Sequence, residues 1–259
     1  MAIDLYNLEG TKTTSIDLPA QFTESFEADL IVRAYRAFQL RQRQPYGAYV
    51  HAGQGVSSKL SRRRRNYKGS YGIGIARSPR KTLWHRGTQF GWVGALAPNT
   101  VGGRRAHPGK PETDWKIKIN KKENQKAIRS VLSGLAEQKH IVAVENGLEA
   151  LKKSKDVVGL LEKLSIVLPR ARRNNTGKAR LRGRASSVPL GPVFVVSKNC
   201  PLTTAVRSLP GVDIHLVTHL NVAAFVKHPT GTLRQTIWTA DALQLLQQKH
   251  LYAGHGGKQ

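Results

Sequence analysis

His215 and His219 stand four residues apart, a spacing at which two imidazoles can share a metal ion. They fall on a predicted strand and the turn after it, with no third ligand of comparable quality nearby. A structural histidine pair is the better reading, and no metal site is assigned. The run Gly103-Arg-Arg-Ala-His-Pro-Gly109-Lys110 has the outward form of a phosphate-cradling loop. Its spacing is one residue too long, and Pro111 stands where a Ser or Thr hydroxyl would hold magnesium. Gly72-Ile-Gly74 lacks the preceding strand and following helix of a dinucleotide fingerprint. His107 lies between Arg105 and Lys110 with no carboxylate in the span to orient it, so it suits an RNA contact better than a general base. The single cysteine, Cys200, permits no intrachain disulfide. No catalytic constellation survives these tests.

What remains is charge. The chain has 259 residues and a formal net charge of +26, with 42 Lys and Arg against 16 Asp and Glu. Six of the acids fall in the first 29 residues, and none occurs from Leu30 to Pro111 or from Lys163 to Val212. These two acid-free spans hold 27 of the 42 positive charges. Like charges so segregated repel one another, and a polyanion relieves the repulsion. Between Gly47 and Gly109 lie twelve of the 24 glycines, with Tyr67, Tyr71, Trp84, Phe90 and Trp92 interleaved among the bases. Arginine, glycine and aromatic rings together suit phosphate contacts, close backbone approach and base stacking. Neither the helical nor the strand period persists there, so the segment reads as non-regular chain.

The rest of the chain must position these spans, and it reads as alternating α/β. A helix is predicted over Glu24–Arg43, ended by Pro45 and Gly47. Asn120 and Glu123 have the form of a capping box opening a helix with Ile128, Val131, Leu132 and Leu135 on one face. A strand follows at Ile141–Val144 and a helix over Asp156–Leu164. Further strands are expected at Pro192–Val196, Val212–Thr218 and Leu233–Trp238, and Thr239 can cap a helix from Ala240 to Gln248. Strands separated by helices favour a mostly parallel central sheet flanked by helices. The expected organisation is one α/β domain over 1–259, interrupted by an extended basic loop at about 45–112. A second basic loop is expected at about 168–190, and a short polar tail at 250–259. The opening residues MAIDLYNLEGTKTT carry acids and no apolar core, unlike a signal peptide. No run of apolar residues is long enough to span a membrane.

Several long segments carry a family resemblance: GIGIARSPRKTLWHRGTQFGWVGALAPNTVGGRRAHPGK, Lys118 to Glu123 followed by Ala127 to Ser130, Gly177 to Arg184, and LPGVDIHLVTHLNV. Their order and spacing resemble the family of the fourth protein of the large ribosomal subunit, in its archaeal and eukaryotic form. The length is closer to the archaeal one. The resemblance implies a structural, non-catalytic protein of the cytoplasmic large subunit, bound to large-subunit rRNA and neighbouring ribosomal proteins. It implies that the long loop threads into rRNA and approaches the polypeptide exit tunnel, with the nascent polypeptide near its tip, at roughly Gly69 to Trp84. No cofactor is implied, any structural magnesium being carried by the rRNA. The expected rRNA-binding residues of the long loop are Arg62, Arg63, Arg64, Arg65, Lys68, Arg77, Arg80, Lys81, Arg86, Arg104, Arg105, His107 and Lys110. Those of the second span are Arg170, Arg172, Arg173, Lys178, Arg180, Arg182 and Arg184. Tyr67, Tyr71, Gly72, Gly74, Trp84 and Trp92 are the expected stacking or tunnel-loop residues. An RNA-modifying enzyme and a DNA-architectural protein are the alternatives; a pocket with a convergent catalytic group would favour the first, and equal binding to duplex DNA the second.

Overall fold

The computed structural model describes residues 1–58, 63–65, 70–72, 74–87, 89–169, 173–227 and 232–253. In chain order the elements are β1 (Ala2–Tyr6), β2 (Lys12–Asp17), α1 (Ala28–Gln42), β3 (Arg80–Arg86), β4 (Gln89–Gly94), α2 (Lys121–Glu137) and β5 (Ile141–Val144). Then come α3 (Ser154–Lys163), β6 (Arg173–Asn174), α4 (Lys178–Leu181), β7 (Ser186–Ser187), β8 (Val193–Val196) and α5 (Leu202–Arg207). The chain ends with β9 (Asp213–Leu216), α6 (Val222–Phe225), β10 (Thr236–Thr239) and α7 (Ala240–Gln248). These elements form two compact units. Unit 1 is Met1–Gln42 with Lys116–Gln259, and unit 2 is Arg43–Trp115.

Unit 1 is built on a six-stranded sheet in the order β2-β1-β5-β10-β8-β9. Every neighbouring pair is parallel except β1 with β2. The three central strands β5, β10 and β8 are almost wholly buried because helices cover both faces, whereas the edge strand β9 is half-buried and carries Asp213 and His215 on one face. Val193 and Val195 point into a core shared with α1, α2, α6 and α7, whereas Phe194 and Val196 point into one shared with α3 and α5. Trp238 anchors the first core, fully buried with Phe22 edge-on at 5.7 Å and Phe225 stacked at 6.4 Å. The mostly parallel, helix-flanked sheet is the architecture that the alternating pattern predicts.

Local signals explain where elements begin. Asn120 opens α2 with Glu123 in a capping box, the Glu123 carboxylate accepting from the Asn120 N–H at 3.4 Å. Gly134 lies inside α2 because the Phe26 ring occupies the space a Cβ would take, 2.5 Å from Phe26 Cδ2. Thr239 caps α7, its hydroxyl accepting from the Ala242 N–H at 3.3 Å. The same hydroxyl donates to Glu149, a carboxylate only 6% exposed that also accepts from the backbone and side chain of Ser197. A buried carboxylate needs such donors, and this one ties the ends of β8 and β10 together.

The structure corrects one of these readings and adds to two others. The first helix is shorter than the predicted Glu24–Arg43 and runs from Ala28 to Gln42. The N-terminal residues, for which no element was predicted, form the β1–β2 hairpin at the sheet edge; Ile3 and Leu5 alternate onto the core, while β2 is almost wholly exposed. The first residues of the polar tail are docked on the domain. The Tyr252 hydroxyl accepts from the Leu220 N–H at 2.8 Å and donates to the Val217 carbonyl at 3.1 Å, and its own carbonyl accepts from Arg129. Residues 254–259 lie outside the described residues.

Burial pushes the pKa of both His140 and His215 down, with nearby Lys227 adding to the effect at His140. At His215, Asp213 pulls the other way and Arg234 adds to the depression. A folded state that resists protonating these rings loses stability as pH falls through the unfolded histidine value of about 6.5. Above that value both states carry neutral rings and no penalty applies. Urea midpoints measured between roughly pH 7.5 and 5.5 should therefore fall, and His215→Gln should make the decline shallower.

Candidate nucleic-acid interface

Unit 2 begins and ends on one ring contact. The Arg43 guanidinium lies 3.9 Å from the centroid of the Trp115 ring and 5.4 Å from that of Tyr46. A stacked guanidinium keeps its edge free for hydrogen bonds while its face is covered. From this clasp the outgoing and returning chains run antiparallel in one register. Gly47 meets Pro111 so closely that no Cβ fits, the Ala48 N–H donates to the Gly109 carbonyl at 3.0 Å, and a Cβ on Gly53 would lie 2.6 Å from Arg104 Cα. Glycine is needed at Gly53 twice over, since its φ is +75°. The result is a narrow stem without regular strands, which explains why no period was legible there.

Beyond the stem the non-regular reading fails for one stretch. β3 and β4 pair antiparallel from Arg80↔Gly94 to Arg86↔Gln89, with a bulge between Thr82 and Trp84. On one face Phe90 and Trp92 stack at 5.4 Å with His85 beside Phe90. On the other, Trp84 lies across Gly91, where any side chain would collide with the indole. The bulge shifts the alternation by one residue and hides the strand period. Leu83 and Trp84 remain 62% and 57% exposed, so the hairpin presents ring surface that unit 2 itself does not cover.

The predicted residues divide clearly. Arg63, Arg64 and Arg65 are exposed, and Arg64 and Arg77 both lie over the Tyr71 ring, at 5.7 and 4.4 Å. Gly72 and Gly74 have φ of +77° and +70° with open space around them. Arg86, Arg105, His107 and Lys110 are exposed, whereas Lys81, Trp92 and Arg104 are half-buried. Arg80 is half-buried and donates to the Ala76 and Ser78 carbonyls of its own turn, which leaves it less of its fork for a ligand. Arg62, Tyr67, Lys68, Arg170 and Arg172 lie outside the described residues.

The second span, in unit 1, is more ordered than a plain basic loop. β6 and β7 pair Arg173 with Ser187 and Asn174 with Ser186, and α4 makes one turn between them. Asn175 closes the structure: its N–H donates to Ala185, its side-chain amide donates to the Arg184 carbonyl at 2.9 Å, and its amide oxygen accepts from Ser187. Backbone and Asn175 thus satisfy one another, and Arg173, Lys178, Arg180, Arg182 and Arg184 all remain exposed. Five cations on a small braced scaffold suit phosphate contacts, which position a protein on RNA without reading sequence.

Below this scaffold is a residue the sequence reading missed. Arg234 is 1% exposed. Its Nε donates to the Gly191 carbonyl at 2.7 Å, Nη1 to Asp213 at 2.5 Å and to the Ala224 carbonyl, and Nη2 to the Pro192 and Gly211 carbonyls. Gly191 and Pro192 are where the second span rejoins the sheet. Gly191 also abuts Pro169 and Gly211 abuts Pro189, so both ends of the span converge on carbonyls that this guanidinium holds. One arginine among forty-two bases offers no sequence signal of this role. Trp115, a partner of Arg43, was missed because the two are far apart in sequence, and the nearby Tyr46 because an isolated tyrosine carries no signal of the contact. His215 is half-buried on β9 and His219 is exposed in the turn after it. Among the described residues no group of three or more His, Cys, Asp or Glu could hold a metal ion.

Comparison with known proteins agrees with this picture. The profile of the ribosomal protein L4/L1 family matches residues 16–249. The large ribosomal subunit protein uL4 of Nanoarchaeum equitans is 39% identical over 268 residues, covering 97% of this chain and 100% of the relative. The uL4 proteins of Archaeoglobus fulgidus and Methanocaldococcus jannaschii are each 35% identical, covering 95% of this chain and 98% of theirs. A profile match over most of the chain, and relatives aligned nearly end to end, leave one conclusion: the chain belongs to the ribosomal protein L4/L1 family.

Proposed function

We propose that this chain is a structural constituent of the large ribosomal subunit that binds and stabilises large-subunit rRNA and catalyses no reaction. The carrying observation is the display of exposed cations on two separately braced surfaces, the unit 2 loop and the β6–α4–β7 scaffold, in a chain of this family. Arginine forks pair with phosphate oxygens, and the ring pairs Arg64–Tyr71–Arg77 and Phe90–Trp92 offer stacking faces for unpaired bases. The loop reaches the polypeptide exit tunnel with its tip within roughly Gly69 to Trp84, where, among the described residues, the positive φ of Gly72 and Gly74 supports a narrow turn close to the nascent chain. Neighbouring ribosomal proteins are further partners, and the cytoplasm is the location.

The test is whether the endogenous protein co-sediments stoichiometrically with large subunits after a high-salt wash; free protein in the supernatant overturns the assignment. The second surface has its own prediction. Changing Arg173, Lys178, Arg180, Arg182 and Arg184 to Gln should weaken rRNA binding and flatten its dependence on salt by about 0.7–0.9 in log–log slope for each phosphate no longer neutralised. A slope equal to that of the unaltered protein would remove this scaffold from the interface.

A further inference from the structure

A cleft of about 410 Å³ opens in unit 1 among His140, Leu168, Pro169, Pro189, Lys227 and Gln235. It lies at the N-terminal edge of the sheet, since His140 precedes β5, Gln235 precedes β10, and Gly191 and Pro192 precede β8. Open α/β sheets ordinarily bind ligands at the opposite, C-terminal edge. Here the N-terminal edge is where the second basic span leaves and rejoins the sheet, and Arg234 holds that root rigid through the Gly191 and Pro192 carbonyls.

Three properties of the cleft point to an occupant. Its volume falls in the range of small-molecule sites, and its walls combine apolar side chains and proline rings with a comparable share of polar surface. His140 Nδ1 is buried and has no hydrogen-bond partner, alone in this among the described residues. A buried polar atom left unpaired is costly, and such an atom calls for an explanation. Lys227, exposed at the rim, supplies a positive charge. The imidazole is kept neutral by burial and by Lys227, so it meets a polar neutral group without adding a second charge. A purely anionic ligand would leave the apolar walls unused, and a purely apolar one would leave Nδ1 unpaired.

We propose that this cleft receives one unpaired nucleotide of the bound RNA, with its base against the proline-lined wall and hydrogen-bonded to His140 Nδ1, and its phosphate at Lys227. Seated there, the nucleotide fixes the register of the strand whose phosphates the β6–α4–β7 scaffold engages. The proposal rests on the RNA-binding reading above and names a site for a single base within it.

The full chain, labelled at its histidines, is titrated by NMR with each of the four ribonucleoside 5′-monophosphates and, separately, with inorganic phosphate. At least one monophosphate should shift the His140 ring resonances in a saturable way, while inorganic phosphate leaves them in place. Lys227→Gln should weaken that binding about tenfold, as expected for one charge-assisted hydrogen bond, and calorimetric titration of His140→Phe, which lacks the reporting ring, should show no binding of the same monophosphate. Lys227 is exposed, so its variant tests the cleft without disturbing the core; melting curves check that both variants fold. His140 resonances unmoved by all four monophosphates would overturn the proposal, as would inorganic phosphate reproducing the full shift, or unchanged binding in Lys227→Gln. Binding of the unaltered protein to intact rRNA is measured in parallel. If rRNA binds but no monophosphate moves His140, the cleft proposal alone falls. If rRNA does not bind, the reading beneath it falls first.

Discussion

Replacing Arg234 with methionine is expected to destabilise the protein by about 3–5 kcal/mol, the cost of breaking a buried charged network from one side. The substitution keeps the bulk of the stem but removes every donor. Four backbone carbonyls, of Gly191, Pro192, Gly211 and Ala224, would lose the hydrogen bonds the guanidinium now gives them. Arg234 is 1% exposed, so water does not readily replace it. The Asp213 side chain is 45% exposed and stays hydrated when its partner goes, which places most of the loss on the carbonyls. For a domain of this size each kcal/mol shifts the melting temperature by about 2–4 °C, so a drop on the order of 10 °C is expected. Asp213→Asn should cost far less, on the order of 1 kcal/mol, because an amide oxygen can still accept from Nη1. A calorimetric melt of both variants decides the matter. An Arg234→Met midpoint within about 2 °C of the unaltered protein would show that the network contributes little net stability, as some buried ion networks do.

The second large effect concerns unit 2. Replacing residues 47–109 with a short glycine linker should leave unit 1 folded while incorporation into large subunits falls at least about tenfold, a loss of only 1.4 kcal/mol or more in binding. Every residue of both core clusters lies in Met1–Gln42 or Lys116–Gln259, so the excision removes no part of either core. The ends to be joined are adjacent, since the Ala48 N–H reaches the Gly109 carbonyl at 3.0 Å. A short bridge therefore closes without pulling on α1 or α2. The excised segment carries twelve Lys and Arg and no acid, so its loss also flattens the salt dependence of rRNA binding. Circular dichroism and gradient sedimentation of tagged protein report the two halves of the prediction separately. Normal incorporation of the shortened, folded protein would defeat the anchoring role of the loop.

The sequence made certain things plain because they are local. Helix α2 was legible from its capping box and its apolar stripe, and α7 from Thr239, because a cap is satisfied within three residues. The buried strands β5, β8 and β10 were legible as short apolar runs between helices. Two acid-free spans needed only counting, and their exposure follows from the high cost of burying so many unpaired charges. Less local features were hidden. The β3–β4 hairpin was concealed by its bulge, and the stem of unit 2 by having no period at all.

Composition and order alone determined an α/β protein with two cationic segments and a polyanionic partner. The tertiary structure decided which cations face outward and which are spent inside. Arg234 and Arg80 have the same charge as Arg182, yet one braces the sheet edge, one bonds its own turn, and one is exposed. That difference depends on where backbone carbonyls converge, and convergence is set by residues far apart in the chain: Gly191, Gly211 and Ala224 around Arg234, or Arg43 with Trp115. A side chain's charge is written in its own codon, but whether that charge meets water, carbonyl or ring is fixed only when the chain has packed.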